Sequence, residues 1–137
     1  MQLGRLMGES LLNANWNFID ALIPLPLHPS KQKLRGYNQA TLLCEGIAEK
    51  LQIPVLHDAV MRHTPTETQT RKNRVERWQN MDGRFQLYQP AQLQHKHVLL
   101  VDDVITTGAT LEACGTEILK APHVELSIAS LAYAAKS

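Results

Sequence analysis

Two adjacent carboxylates, Asp102 and Asp103, follow an apolar run and precede a short loop of threonines around a glycine, Thr106-Thr-Gly-Ala-Thr110. An ionised carboxylate only accepts hydrogen bonds, so the pair suits the neighbouring hydroxyls of a ribose, or water and metal held around it, and repels a bare phosphate. The loop has the opposite character. Its three hydroxyls, its backbone N–H groups and Gly108, which lets the backbone come close to a ligand, open what reads as a helix whose positive end suits a dianion. Diol acceptors and a phosphate cradle one loop apart match the 2′,3′-diol and the 5′-phosphate of a ribose 5-phosphate unit.

The elements that must position these groups follow from hydrophobic pattern. Val98-Leu-Leu-Val101 is a short branched apolar run of the kind that forms a strand buried on both faces of a parallel sheet, whose ligands bind beyond the strands' carboxyl ends. Asp102 and Asp103 are therefore expected just past the strand, at a mouth. Residues 109–120 read as the helix after the loop, stopped by Pro122, and 125–133 as a terminal strand. Upstream, 1–18 reads as a helix with Leu3, Leu6, Met7, Leu11 and Leu12 on one face, and 19–27 as a first strand halted by Pro24 and Pro26. A helix over 38–51 recurs in Ala40, Leu43, Ile47 and Leu51, and a second strand over 53–56 implies a right-handed crossover with parallel pairing. Residues 60–62 and 84–88 read as two further short strands around a long polar segment, an expected lid rather than a domain boundary.

Composition sets outer limits. With 44% apolar and 20% charged residues in 137, the chain has the balance of a globular protein, not a disordered one, and its length fits a single domain over 1–137. A formal net charge of +1 argues against binding dominated by nucleic-acid electrostatics. Cys44 and Cys114 form no C-x-x-C pair, so neither a disulfide framework nor a zinc site is indicated; both read as small core residues in a reducing cytoplasm. No apolar run approaches the length of a membrane span and the start lacks a signal-peptide pattern, so a soluble cytoplasmic protein is expected.

The run from Val98 to Thr110 resembles the phosphoribosyl pyrophosphate (PRPP) motif of type I phosphoribosyltransferases, while neither a Walker loop nor G-x-G-x-x-G is present. Pro24-Leu-Pro-Leu-His-Pro29 followed by Leu34-Arg-Gly-Tyr-Asn-Gln39 is similar to the P-x-P and R-G-[FY]-N-Q signature of the ComF/GntX family, predicted phosphoribosyltransferases associated with competence and DNA utilisation. Thr68-Gln-Thr70 and then Arg77, Asn80, Gly83 and Phe85 continue that pattern in order, so the similarity spans roughly 20 to 133.

The resemblance implies an α/β, type I phosphoribosyltransferase fold: a central, mainly parallel sheet flanked by helices, with a small hood and flexible loop at about 60–90. It implies displacement of pyrophosphate from C1 of PRPP by a nucleophilic acceptor through an oxocarbenium-like transition state. Asp102 and Asp103 would be the catalytic pair, and Thr106, Thr107, Gly108, Ala109 and Thr110 would hold the 5′-phosphate. Mg²⁺ would arrive with PRPP and be held through substrate and water, without direct protein ligands. The pyrophosphate then needs a cationic, N–H-rich cradle of its own, and the loop carrying Leu27, His28, Lys31 and Arg35 directly after a strand supplies one. Arg71, Arg74 and Arg77 fall where the family's flexible loop closes; Arg77 could equally pair with Asp82.

Family members commonly begin with a cysteine-rich, zinc-binding segment, and no cysteine precedes Ile19, so no zinc is carried over; the chain either lacks that module or is shortened. His28 reads as a turn residue, His95 and His97 as surface residues, and Trp16, Trp78 and Tyr37 as packing anchors. No acceptor-specific pattern stands out. Two rival readings remain: a PRPP- or nucleotide-sensing module without catalysis, and single-stranded DNA binding through Lys31, Lys33, Arg35 and the 71–77 cluster, for which interleaved aromatics are sparse. A homodimer or a partner in the competence machinery would fit either.

Overall fold

The computed structural model describes residues 2–27, 38–62, 85–105 and 108–133. Helix α1 (Gln2–Asn13) and strand β1 (Ala21–Pro24) are followed by α2 (Gln39–Leu51), the short strands β2 (Val60–Arg62) and β3 (Phe85–Leu87), a 3₁₀ turn at Pro90–Gln92, β4 (His97–Ile105), α3 (Ala109–Ile118) and β5 (Glu125–Tyr133).

Three strands form a parallel sheet in the order β1-β4-β5. Its centre is apolar because both faces are covered. Ala21, Ile23, Val98 and Leu100 face Leu111, Cys114 and Ile118 of α3, with Val60 and Phe85 completing that cluster. Leu22, Leu99 and Val101 face Leu43, Cys44 and Ile47 of α2. Both cysteines are free and buried, as expected of core residues.

The expected strand at 53–56 is reduced to a single parallel bridge, Leu22 to Val55. Leu22 N–H donates to Pro54 O at 2.9 Å and Leu56 N–H donates back to Leu22 O at 2.8 Å. Pro54 itself has no N–H to extend the ladder. The same alternation explains why Pro24 is tolerated within β1. Like Leu22, it directs its nitrogen toward this sparse edge, and its pairing with β4 loses nothing.

The first helix ends at Asn13 instead of running to residue 18. Asn15 adopts a left-handed conformation (φ 63°), Trp16 N–H donates to Leu11 O at 2.9 Å and Asn15 N–H to Leu12 O at 3.0 Å. This is a Schellman termination, sealed by Trp16 and Leu11 in one cluster. The packing face of α1 keeps Met7 and Leu11 of the expected stripe but not its other three leucines. Gly4 and Gly8 are buried while Leu3, Leu6 and Leu12 are 42%, 53% and 41% exposed. The reason is close helix approach: a Cβ on Gly46 of α2 would lie 2.6 Å from the Gly4 Cα, so glycine against glycine brings α1 onto α2. Arg5–Glu49 (2.8 Å) and Lys50–Glu9 (3.3 Å) flank the contact.

β2 and β3 form a separate antiparallel pair, with Val60 opposite Leu87 and Arg62 opposite Phe85. It sits beside α3, whose Glu117 Oε1 accepts the Leu87 N–H at 3.4 Å. No helix among the described residues is long and apolar enough to cross a membrane.

Candidate active site

β4 does not stop at Val101. It continues to Ile105, and Asp102 and Asp103 lie within it. The expectation that the carboxylates follow the strand fails because β5 keeps pairing alongside, from His97–Glu125 to Ile105–Tyr133. On the other side β1 ends at the Pro24–Val101 pair, with Leu25 N–H donating to Val101 O at 2.8 Å as the last tie. The acidic pair thus occupies a step in the sheet, where the central strand outruns one neighbour. It still reaches the carboxyl edge, by a different route.

Asp102 and Asp103 are both half-buried. Asp102 Oδ1 accepts the Asp103 N–H at 2.8 Å. Burial, and next the hydrogen bond and charge of the Asp103 carboxylate, push the Asp102 carboxyl up to about 6; the Asp103 N–H and the positive charge of Arg62 act the other way. A carboxylate placed this close raises the cost of ionising Asp102. On the neighbouring strand, Ser130 Oγ donates to Asp103 O at 3.4 Å.

Past the strand, Gly108 caps α3 in a left-handed conformation (φ 80°), with Glu112 N–H donating to its carbonyl at 2.8 Å. Among the described residues, its chain neighbours apart, no atom lies within 4 Å of where a Cβ would stand. Among the described residues it is the backbone angle, not crowding, that favours glycine. Ala109 and Thr110 are exposed at the start of the helix, whereas Leu111 anchors it in the core. Thr106 and Thr107 lie outside the described residues, as do His28, Lys31 and Arg35 of the expected pyrophosphate loop and Arg71, Arg74 and Arg77 of the expected lid. Leu27, half-buried just beyond β1, is the last described residue before that loop.

The side chain across the loop was not assigned a role from sequence. Asn38 Oδ1 accepts the Ala40 N–H at 2.9 Å, capping α2, while its Nδ2 donates to Leu25 O at 3.1 Å. One amide therefore ties the end of β1 to the start of α2 and fixes both ends of segment 28–37. An asparagine directly before a helical pattern is the available sequence signal.

Arg62 is a second residue that sequence reasoning passed over. Pairing opposite Phe85 on β2, it places its guanidinium 5.2 Å from the Phe85 ring centroid, and its charge acts on both Asp102 and Cys114. Period-two alternation from buried Val60 would have placed a cation on the inner side of the strand. His97, expected at the surface, is instead packed: its side chain is only 19% exposed and bonded to Ser127 and Glu125.

No family model matches the chain. Competence protein F of Haemophilus influenzae is 39% identical over 116 residues, 84% of this chain and 51% of that protein. The DNA utilization protein YhgH of Escherichia coli K12 is 33% identical over 101 residues, 74% of this chain and 44% of that protein, and Competence protein ComFC of Bacillus subtilis is 34% identical over 90 residues. The chain is a homologue of the ComF proteins. This ComF homologue spans about half the length of Competence protein F.

Solved structures agree on the fold of the ComF homologue. The Bacillus subtilis glutamine PRPP amidotransferase complexed with ADP and GMP superposes with a TM-score of 0.63 at 18% identity, covering 94% of this chain and 26% of that one. The purine phosphoribosyltransferase of Pyrococcus horikoshii gives 0.59 at 20%, covering 96% and 70%. A Neisseria gonorrhoeae hypothetical protein with bound ppGpp gives 0.55 at 21%, covering 99% and 70%. The ComF homologue has the α/β fold of type I phosphoribosyltransferases, a parallel sheet flanked by helices.

Proposed function

We propose that the chain binds Mg–PRPP at the carboxyl edge of β4 and transfers its phosphoribosyl group to a nucleophilic acceptor, in a process of DNA uptake or use. The observation that carries this reading is the acidic pair at the sheet step, followed within one loop by the Gly108 turn into α3. Asp102 and Asp103 would accept the ribose hydroxyls, and Thr106 to Thr110 would receive the 5′-phosphate. Leu27, His28, Lys31 and Arg35 would receive the pyrophosphate on a segment whose ends Asn38 fixes. Residues 60–90 would act as hood, with Arg71, Arg74 and Arg77 in the lid.

The donor set fits magnesium held through substrate and water: two adjacent carboxylates are hard oxygen donors, and burial beside Asp103 makes the Asp102 charge more costly, a cost that a nearby cation would offset. When bound, magnesium would neutralise charge on the pyrophosphate leaving group. The protein's own contribution is positional. The carboxylates hold the ribose and stabilise positive charge growing at C1 as the bond to pyrophosphate breaks and the acceptor's lone pair arrives. Arg62, stacked on Phe85, keeps a cation near the pair from the hood side.

A second reading, nucleotide sensing without turnover, is favoured by the ppGpp bound to the structurally similar Neisseria protein. Calorimetry with Mg–PRPP, followed by pyrophosphate release against a panel of bases and amines, separates the two. Replacing both aspartates by asparagine should weaken binding by at least about tenfold, a loss of ~1.4 kcal/mol. Unchanged binding overturns the site. Binding without release selects the sensor, and salt-sensitive oligonucleotide binding indifferent to PRPP selects a DNA-binding role.

A further inference from the structure

The opposite end of the sheet brings a serine, a histidine and a carboxylate together. His97 and Glu125 open β4 and β5 as register partners, and Ser127 follows two residues along β5 on the same side. Ser127 Oγ is 2.7 Å from His97 Nε2, and Glu125 Oε2 is 3.2 Å from His97 Nδ1. The carboxylate favours a proton on Nδ1, which leaves Nε2 to accept from the Ser127 hydroxyl. That order of bonds activates a serine nucleophile. The residue is held in place: Asp20 Oδ2 accepts the His97 backbone N–H at 2.8 Å, the Phe18 ring lies 4.9 Å from the imidazole, and Trp16 lies tilted against Phe18 at 5.4 Å.

Two neighbouring features suit a substrate. Among the described residues β5 pairs only with β4, and Glu125 N–H donates to Lys96 O at 2.9 Å. The amides of Ser127 and Ala129 therefore also point into the sheet, and those of Leu126 and Ile128 point to its outer edge. In such a centre Ile128 N–H, directly after the serine, would be the donor to an oxyanion. Alongside runs an open groove of about 570 Å³ between α1 and β5, lined by Leu6, Met7, Leu11, Trp16, Ala129 and Leu131 among others. Ala129 is on the Ser127 face, about 6.6 Å further along the strand. The acidic pair is remote, five residues up β4 and about 16 Å away.

We propose that Ser127, His97 and Glu125 form a second, hydrolytic centre that cleaves carboxylic esters of apolar acyl chains, with the chain lying in the groove. Ser127 Oγ attacks the ester carbonyl carbon while its proton passes to His97 Nε2. The carbon–oxygen bond to the alcohol breaks, and the leaving alkoxide takes that proton. Water then attacks the acyl-serine, giving its proton to the same nitrogen, and the carboxylic acid departs as Ser127 regains its hydrogen. Glu125 exchanges no proton in either step. Its side chain is 77% exposed, so water screens its support of the imidazolium, and activated esters are the substrates to use.

The test is hydrolysis of para-nitrophenyl octanoate by the wild-type chain, with a fluorophosphonate probe located by peptide mass spectrometry. Expected are turnover above buffer, label on Ser127, loss of turnover in Ser127→Ala and a roughly 100-fold fall in His97→Gln. The octanoate should react faster than the acetate, since only the former is long enough to reach the groove. Label elsewhere, no turnover by wild type, or variants within twofold of wild type would overturn the proposal. Labelling of the unmodified chain stands independently of whether either variant folds.

Discussion

Neutralising Asp102 at constant shape measures whether the acidic pair is held at a cost to the fold. Burial and the Asp103 carboxylate raise its carboxyl to about 6 in the folded chain, against the opposing pull of the Asp103 N–H and Arg62. Relative to about 3.9 in the unfolded chain, that difference is worth about 3 kcal/mol in favour of the protonated form. The group is only half-buried, so solvent screening cuts the figure to about 1 to 1.5 kcal/mol. Because the folded value is the higher one, the native state binds the proton more tightly between about pH 4 and 6. Stability is lost as pH rises through that window, and the loss is complete above it. Asp102→Asn keeps an oxygen to accept the Asp103 N–H but has no titration. Urea unfolding should therefore show the variant about 1 to 1.5 kcal/mol more stable than wild type near pH 7.5, the gap closing toward pH 4. A variant less stable near pH 7.5, or a gap that does not move with pH, refutes the reasoning.

Three further outcomes follow from particular contacts. Gly46→Ala places a Cβ 2.6 Å from the backbone of Gly4 and Arg5, so α1 must shift; after the helical gain of alanine, a net loss of about 1 to 2 kcal/mol should appear in urea unfolding. Asn38→Ala removes a helix cap and should cost about 1 kcal/mol, whereas Asn38→Asp keeps the cap acceptor but loses the donor to Leu25 O. If that tie positions the pyrophosphate segment, calorimetry should find Mg–PRPP affinity reduced in both, with α2 stability spared only in the aspartate. Burial pushes the Cys44 thiol far above its ordinary range and Cys114 up to about 12, so an aromatic disulfide reagent near pH 8 should modify neither until urea exposes both.

What could be read from sequence depended on how local its cause is. The β4 core, the α2 face of Ala40, Leu43 and Ile47, and the full extent of β5 are periodic patterns that each segment carries by itself, and all three are present. The α1 face differs in part because leucine spacing is a local signal, while Gly4 meets Leu43 and Gly46, and Gly8 meets Ile47 and Lys50, on another helix. His97 was misplaced for the same reason: its partners Glu125 and Ser127 come from the neighbouring strand. Arg62 and Asn38 likewise draw their roles from Phe85 and Leu25, which pattern within a segment does not reveal.

The acidic pair shows how such a non-local cause can create a site. Carboxylates read as the end of a strand because they are poor core residues, and by composition alone β4 would stop at Val101. It continues because β5 offers backbone partners through Ile105, while β1, distant from β4 in the chain, stops at its own Pro24. The one-sided step leaves Asp102 buried enough to resist ionisation and open enough for a ligand to arrive. Lengthening β1 past Pro24 would cover the step, and shortening β5 would release the pair to water. Register between three strands, more than the identity of two aspartates, makes this edge a candidate for ribose and cation binding.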